Sequence, residues 1–220
     1  MKITSSNTSY NSNFKAIKVA RTTNKLGKTI TNIDIYKITK EDFSFLENLK
    51  NKIKFKDFFQ SLDEYSLERW QHIFEYCIRG ALETPLHDSC TYVAICQNKP
   101  CGIINYHDFE TNLYLNGICS IPIEKNKKVP LCGQTLFLQF FKDAFNKKIK
   151  NASLSAVNNG PFNVVDKYEK LGFVKDPTSY PYTKMVCNKY KIEESLKNLS
   201  KTINYKTCNQ EKVNLQQFID

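Results

Sequence analysis

Arginine is scarce in this chain of 220 residues: Arg21, Arg69 and Arg79 stand beside 29 lysines, although the formal net charge is +10. The planar guanidinium fork is what phosphate and base recognition favour. A cation excess carried almost wholly by lysine, with 22 asparagines beside it, reads as a lysine-solvated surface and a compositional bias. A steering field for acidic partners is the alternative. Glycine and proline are also few, seven of each, which excludes collagen-like repeats and long flexible linkers. No run of about 18 apolar residues occurs, so no membrane-spanning helix is expected. The polar segment Met1 to Lys15 lacks the apolar stretch of a secretory leader, and the expectation is a soluble, cytoplasmic protein. What remains is 41% hydrophobic and 25% charged, the globular average.

Eight cysteines are present, but Cys77, Cys96, Cys119 and Cys132 lie in apolar runs, where free cysteine behaves as a small buried hydrophobe. There is no Cys-x-x-Cys pair and no Cys/His cluster at zinc-finger spacing, so no metal is expected; His87 with Cys90 is a poor ligand pair. Cys96 and Cys101 bracket the turn Gln97 to Pro100 and are positioned to face each other, with reduced thiols as the default.

The hydrophobic period changes along the chain. Phe14 to Ala20 and Ile30 to Ile38 alternate as strands, with Asn24 to Gly27 as a turn between them. Thr39 to Asp42 resembles a capping box ahead of Phe43, Leu46 and Leu49, and Ser61 to Glu64 is a Ser-x-x-Glu box. Behind it Trp70, Ile73, Phe74, Cys77, Ile78, Ala81 and Leu82 recur with helical spacing, a stripe that reads as core. Strands are expected over Tyr92 to Cys96, Gly102 to Tyr106 and Tyr114 to Ile121. A lysine-rich loop follows, then a helix over Leu136 to Phe145 and a strand over Ala152 to Val157. A helix over Val164 to Leu171 and a strand pair within Phe173 to Lys189 complete the pattern. Residues 191 to 203 read as a solvent-facing helix and 204 to 220 as a tail. The alternation implies an α/β (α+β) protein with a mixed sheet and helices on both faces.

Asp166-Lys-Tyr-Glu-Lys-Leu-Gly-Phe173, between a strand and a hairpin, resembles the GNAT superfamily of acyl-CoA-dependent N-acyltransferases, in which a helix ending in Tyr-Glu-x-Leu-Gly-Phe follows the fifth strand. The resemblance implies a mostly antiparallel twisted sheet over about residues 30 to 190, preceded by an N-terminal arm (1–29, with a possible short strand) and followed by a C-terminal helix and tail (191–220). Gly172 reads independently as a helix stop. Tyr168 is either a packed aromatic or, as the resemblance implies, the acid that protonates the departing thiolate of coenzyme A.

The superfamily's pyrophosphate loop, Arg/Gln-x-x-Gly-x-Gly/Ala, is represented by Lys128-Val-Pro-Leu-Cys-Gly133, in which Lys replaces Arg and Leu131 replaces the first Gly. The resemblance implies that amides of Cys132, Gly133, Gln134 and Thr135 at a helix N-terminus hold phosphate, helped by Lys127 and Lys128. A decayed site is the alternative. It further implies a thioester-polarising amide at Ile121, with Ser120 and Ile123 along the pantetheine arm and Asn158 and Asn159 beside it. The strand position near Leu115 and Asn116, where the superfamily often carries a basic Glu, has no carboxylate. Asp108 and Glu110 are the nearest acids, with His107 or a bound water as alternatives. The expected activity is acetyl-CoA-dependent N-acetylation of a primary amine on a small molecule or protein. The alternatives are an inactive binding module or an acyltransferase for an RNA-borne amine. A homodimer is conceivable, and Trp70, Tyr180 and Tyr182 are candidates for an acceptor pocket.

Overall fold

The computed structural model describes residues 16–83, 89–157, 164–179 and 183–219. Nine strands form one sheet: β1 (Ala16–Leu26), β2 (Thr29–Lys37), β3 (Ser89–Cys96), β4 (Lys99–Phe109), β5 (Asn112–Ser120), β6 (Asn151–Ala156), β7 (Val174–Lys175), β8 (Thr183–Asn188) and β9 (Ile203–Val213). Their spatial order is β7-β8-β6-β5-β4-β3-β2-β1-β9. All neighbours are antiparallel except β5 and β6. The helices are α1 (Phe43–Lys52), α2 (Glu64–Glu83), α3 (Cys132–Asn146), α4 (Val165–Glu169) and α5 (Lys189–Leu199). A parallel neighbour cannot be reached by a hairpin, and α3 is the crossover between β5 and β6.

Two apolar cores lie on opposite faces of the sheet. One gathers Leu136, Phe137, Phe140 and Phe141 of α3 with Phe173, Met185 and Ile192. The other gathers Phe45 and Leu49 of α1 with Trp70, Phe74, Cys77 and Ile78 of α2, and with Val93 and Ile103 of the sheet. The Trp70-to-Ala81 stripe is therefore core, as its spacing indicates. The α3-side core encloses a polar cluster: Tyr92 and Tyr106 both donate to Asp143 Oδ2, the former at 2.6 Å. Gln139 donates to Asp143 Oδ1 at 3.1 Å and accepts from Tyr205 at 2.6 Å.

Several local readings change. The box at Thr39 closes as expected, with its amide and hydroxyl both on Asp42 Oδ2, but α2 is capped by Asp63 rather than Ser61: Ser66 donates to Asp63 through its amide (2.9 Å) and hydroxyl (2.5 Å). A carboxylate one residue before the helix reaches the N3 amide, which Ser61 is too far back to do. The segment read as a tail forms β9, antiparallel to β1, and β1 itself reaches Leu26, well past the short strand expected. A polar strand at the sheet edge, as β9 is, carries little apolar alternation, which hides it from periodicity, and β1, one strand further in, continues past Ala20 through mostly polar residues that give no apolar period. The helix read as solvent-facing, α5, buries Ile192 and Leu199. All eight cysteines are free. Cys96 pairs with Lys99 in the hairpin, and the Cys101 thiol instead meets that of Cys132 at 3.6 Å.

Candidate active site

β5 and β6 run side by side for only four residue pairs, Asn112↔Asn151 to Leu115↔Leu154, and pair no further. The cause is on the other edge of β5. Asn105 opposes Gly117 while Tyr106 opposes Leu115, so Asn116 is an extra residue, a bulge that bends its strand. Beyond it β5 stays with β4 and leaves β6, opening a wedge in the middle of the sheet.

The bulge is pinned by side chains. Tyr76 of α2 donates to Asn116 Oδ1 (2.9 Å), Asn116 donates to Asn105 Oδ1 (3.0 Å) and Asn105 donates to Thr91 Oγ1 (2.8 Å). Glycines let α2 approach this closely: a Cβ on Gly80 would lie 2.2 Å from Asn116 Nδ2, and one on Gly117 would lie 2.7 Å from Cys77 Sγ. Gly80→Ala gains helix propensity of about 1 kcal/mol but evicts the Asn116 amide. A net loss of about 1–2 kcal/mol in urea unfolding is expected, as for other overpacked sites.

Past the bulge, Gly117 presents its Cα to α2, the side chains of Cys119 and Ile121 turn to α2, and those of Ile118 and Ser120 turn to the α3 side. The Ile121 amide donates to Cys101 O at 2.8 Å. It is therefore spent inside the sheet, unlike the carbonyl-polarising role expected of it. Antiparallel alternation then turns the amides of Ile118 and Ser120 toward the wedge. Ile118 was missed in the sequence because the strand's phase follows from the bulge, which no local signal marks.

The N-terminus of α3 abuts the same strand: a Cβ on Gly133 would meet only Ser120 Oγ, at 3.7 Å. Leu131, where the resembled loop has glycine, keeps the left-handed conformation at φ 59°. A residue with a Cβ bears that conformation at a cost of about 1 kcal/mol. Of the first four amides, Cys132 donates to Val129 O and Thr135 to Leu131 O. The Thr135 hydroxyl is buried and accepts from Asn24 at 2.7 Å. Cys132 and Thr135 thus serve the helix itself. The amides of Gly133 and Gln134 have no acceptor among the described residues. Ile123 is buried in the α3-side core. Lys127 pairs with Glu124 at 3.0 Å, and the Lys128 ammonium stands over the Trp70 ring. Asn158, Asn159, Tyr180 and Tyr182 lie outside the described residues, as does His87.

Tyr168 enters from α4. Its ring packs edge-on against Phe137 and Phe173, and its hydroxyl makes no hydrogen bond to a described residue. Burial first, and then Cys77 on α2, push the phenol up to about 12. Cys77 touches the Gly117 position, so the phenol lies within electrostatic reach of the residue that packs on the bulged stretch of β5. Gly172 ends the helix at φ 85° and leaves room for Ser195, whose hydroxyl donates to Leu171 O at 2.8 Å. The acids are elsewhere. Glu110 occupies the β4–β5 turn at φ 58°, and Asp108, opposite Leu113, is ion-paired with Lys147. Ser120 is seven residues farther along β5 than Leu113, roughly 20 Å of strand. Both acids stand where β5 and β6 are still paired, away from the open wedge. His107 stacks on Tyr114 at that same end.

Neither a protein-family model nor a curated protein matches the chain. Solved structures do. The PaiA N-acetyltransferase of Thermoplasma acidophilum, in complex with coenzyme A, is 19% identical with a TM-score of 0.50, covering 71% of this chain and 98% of its own. An aminoglycoside 6′-acetyltransferase (type Ii) is 13% identical at TM-score 0.49, over 70% of this chain and 96% of its own. A GNAT family acetyltransferase from Elizabethkingia anophelis, with acetyl-CoA bound, is 15% identical at TM-score 0.39, over 47% and 78%. With the bulged strand, the wedge beside it and the crossover helix opening onto that wedge, this chain has the fold of the GNAT acetyltransferases.

Proposed function

We propose that the protein is an acetyl-CoA-dependent N-acetyltransferase acting on a primary amine, with the donor in the wedge between β5 and β6. The observation that carries this reading is the convergence of unpaired donors on that wedge. The amides of Gly133 and Gln134 open from a helix N-terminus, which favours an anion, and those of Ile118 and Ser120 line the strand. The residues fit an acyl-CoA: an anion suits the helix end, and the strand offers donors to an extended amide-bearing arm. Bound there, acetyl-CoA supplies an activated acyl group. Ile118 and Ser120 orient it and offer hydrogen bonds where oxyanion charge develops. Tyr168 Oη holds the proton that a departing thiolate needs. No carboxylate stands at Asn116, so removal of the acceptor's proton falls to water held by the Tyr76–Asn116–Asn105 chain.

Calorimetric titration with acetyl-CoA tests the donor site. Micromolar binding is expected, and no heat at millimolar donor would refute the reading in favour of a binding module without the cofactor. Gly133→Ala sharpens it. The added methyl meets only Ser120, so the unfolding free energy should be unchanged or slightly raised. Affinity for acetyl-CoA should fall about ten-fold, near 1.4 kcal/mol, because the Cβ takes space beside the two free amides. A loss of stability with affinity intact would mean that this helix end serves the fold alone.

A further inference from the structure

Lys128 is exposed, yet its Nζ lies 3.6 Å from the centroid of the buried Trp70 ring and 5.5 Å from that of the buried Phe59. The two rings are stacked at 5.0 Å, with Phe55 stacked on Trp70 at 5.4 Å. Such a surface attracts cations through the ring quadrupoles. Among the described residues Lys128 forms no ion pair, and burial, then Lys167, lower its pKa. The Trp70 side chain hydrogen-bonds Cys119, three residues past the Asn116 bulge. The rings therefore stand on the α2 face of the strand that borders the wedge.

We propose that the Trp70–Phe59 pair is a cation subsite for the acceptor, suited to an alkylammonium group, and that Lys128 is its resident intramolecular occupant, which an acceptor displaces. The acceptor assignment rests on the acetyltransferase reading; the cation site does not. A primary-amine substrate reaches the enzyme as an ammonium ion, and the chain already shows where an ammonium settles without a carboxylate. Lysine at this position satisfies the rings while the site is empty, and what an acceptor must displace is its ring contacts, with no ion pair among the described residues.

Trp70 is the single tryptophan, so its emission reports the subsite directly. Titration with n-butylammonium chloride is expected to change that emission. Lys128→Ala, which removes the competitor from an exposed position, should bind the probe about 2- to 30-fold more tightly, the range a cation–π contact spans. n-Butanol, matched in carbon chain but uncharged, should have no effect. Equal binding by both proteins, or a response to n-butanol equal to that of the cation, overturns the cation site. In turnover, KM for n-butylamine should fall by the same factor in Lys128→Ala. An unchanged KM alongside tighter probe binding would overturn the acceptor assignment. Absence of acetyl-CoA binding in calorimetry would refute the acetyltransferase reading, and the fluorescence result would still judge the cation site.

Discussion

Tyr168→Phe is expected to lower kcat about 100-fold, the middle of the range for loss of a positioned proton donor, while the unfolding free energy and the affinity for acetyl-CoA stay within error of the native values. The separation follows from the geometry. The ring, which packs on Phe137 and Phe173, is retained, and the hydroxyl that is lost has no partner among the described residues whose desolvation would be exposed. The pH profile supplies a second readout. Burial, and then Cys77, push the phenol up to about 12, so it is protonated throughout the neutral range. Any fall in kcat owed to its ionisation should appear only near pH 12, and a descending limb centred below pH 10 must belong to another group. An unchanged kcat in Tyr168→Phe would leave Tyr168 as a packed aromatic and remove its catalytic role.

The largest effect on stability is expected at Asp143. Asp143→Ala removes the acceptor shared by Tyr92 and Tyr106 and a partner of Gln139. Buried hydroxyls left without a partner cost about 1–3 kcal/mol each before relaxation. A total near 3 kcal/mol is expected, equivalent to a fall in Tm of about 6–12 °C for a chain of this size. Asp143→Asn keeps one oxygen acceptor and should lose less than half as much. Differential scanning calorimetry distinguishes the cases, and a loss below about 1 kcal/mol in Asp143→Ala would mean that water replaces the carboxylate. The same cluster sets an alkaline limit. Burial foremost, then neighbouring charge, raises both phenols above the ordinary tyrosine value of 10. Above pH 10 the unfolded chain releases these protons and the native chain does not. Stability from these groups is therefore complete below pH 10 and is lost as pH rises toward their native values.

Much of the architecture is legible in the residues because it depends on neighbours in sequence. The Trp70-to-Ala81 stripe, the β3–β4 hairpin, the apolar α3 and the Gly172 stop are each set by a period or by a backbone conformation that one residue type tolerates best. The Tyr168 segment is legible for the same reason: helix, stop and following strand occupy the eleven contiguous residues Val165 to Lys175. The edge strand β9 is not, since it buries too little of one face to impose a clear alternation, and it is held by pairing with β1 residues nearly two hundred positions away.

The candidate site shows the same division. Sequence alone determined the residue types available to it: a phenol after a short helix, a glycine at the start of α3, and no carboxylate near Asn116. Tertiary structure decided which of them meet. The bulge at Asn116 reverses the phase of β5, so Ile118 and Ser120 rather than Ile121 offer their amides to the wedge. Helical bonding consumes the Thr135 amide and leaves those of Gly133 and Gln134. Asp108 and Glu110 are carried to the paired end of β5, and Lys128 sets its ammonium over the face of Trp70. Apart from the helical bonding at Thr135, each outcome turns on a hydrogen bond, strand pairing or ring contact between separate segments, and such contacts exist only once the chain has packed.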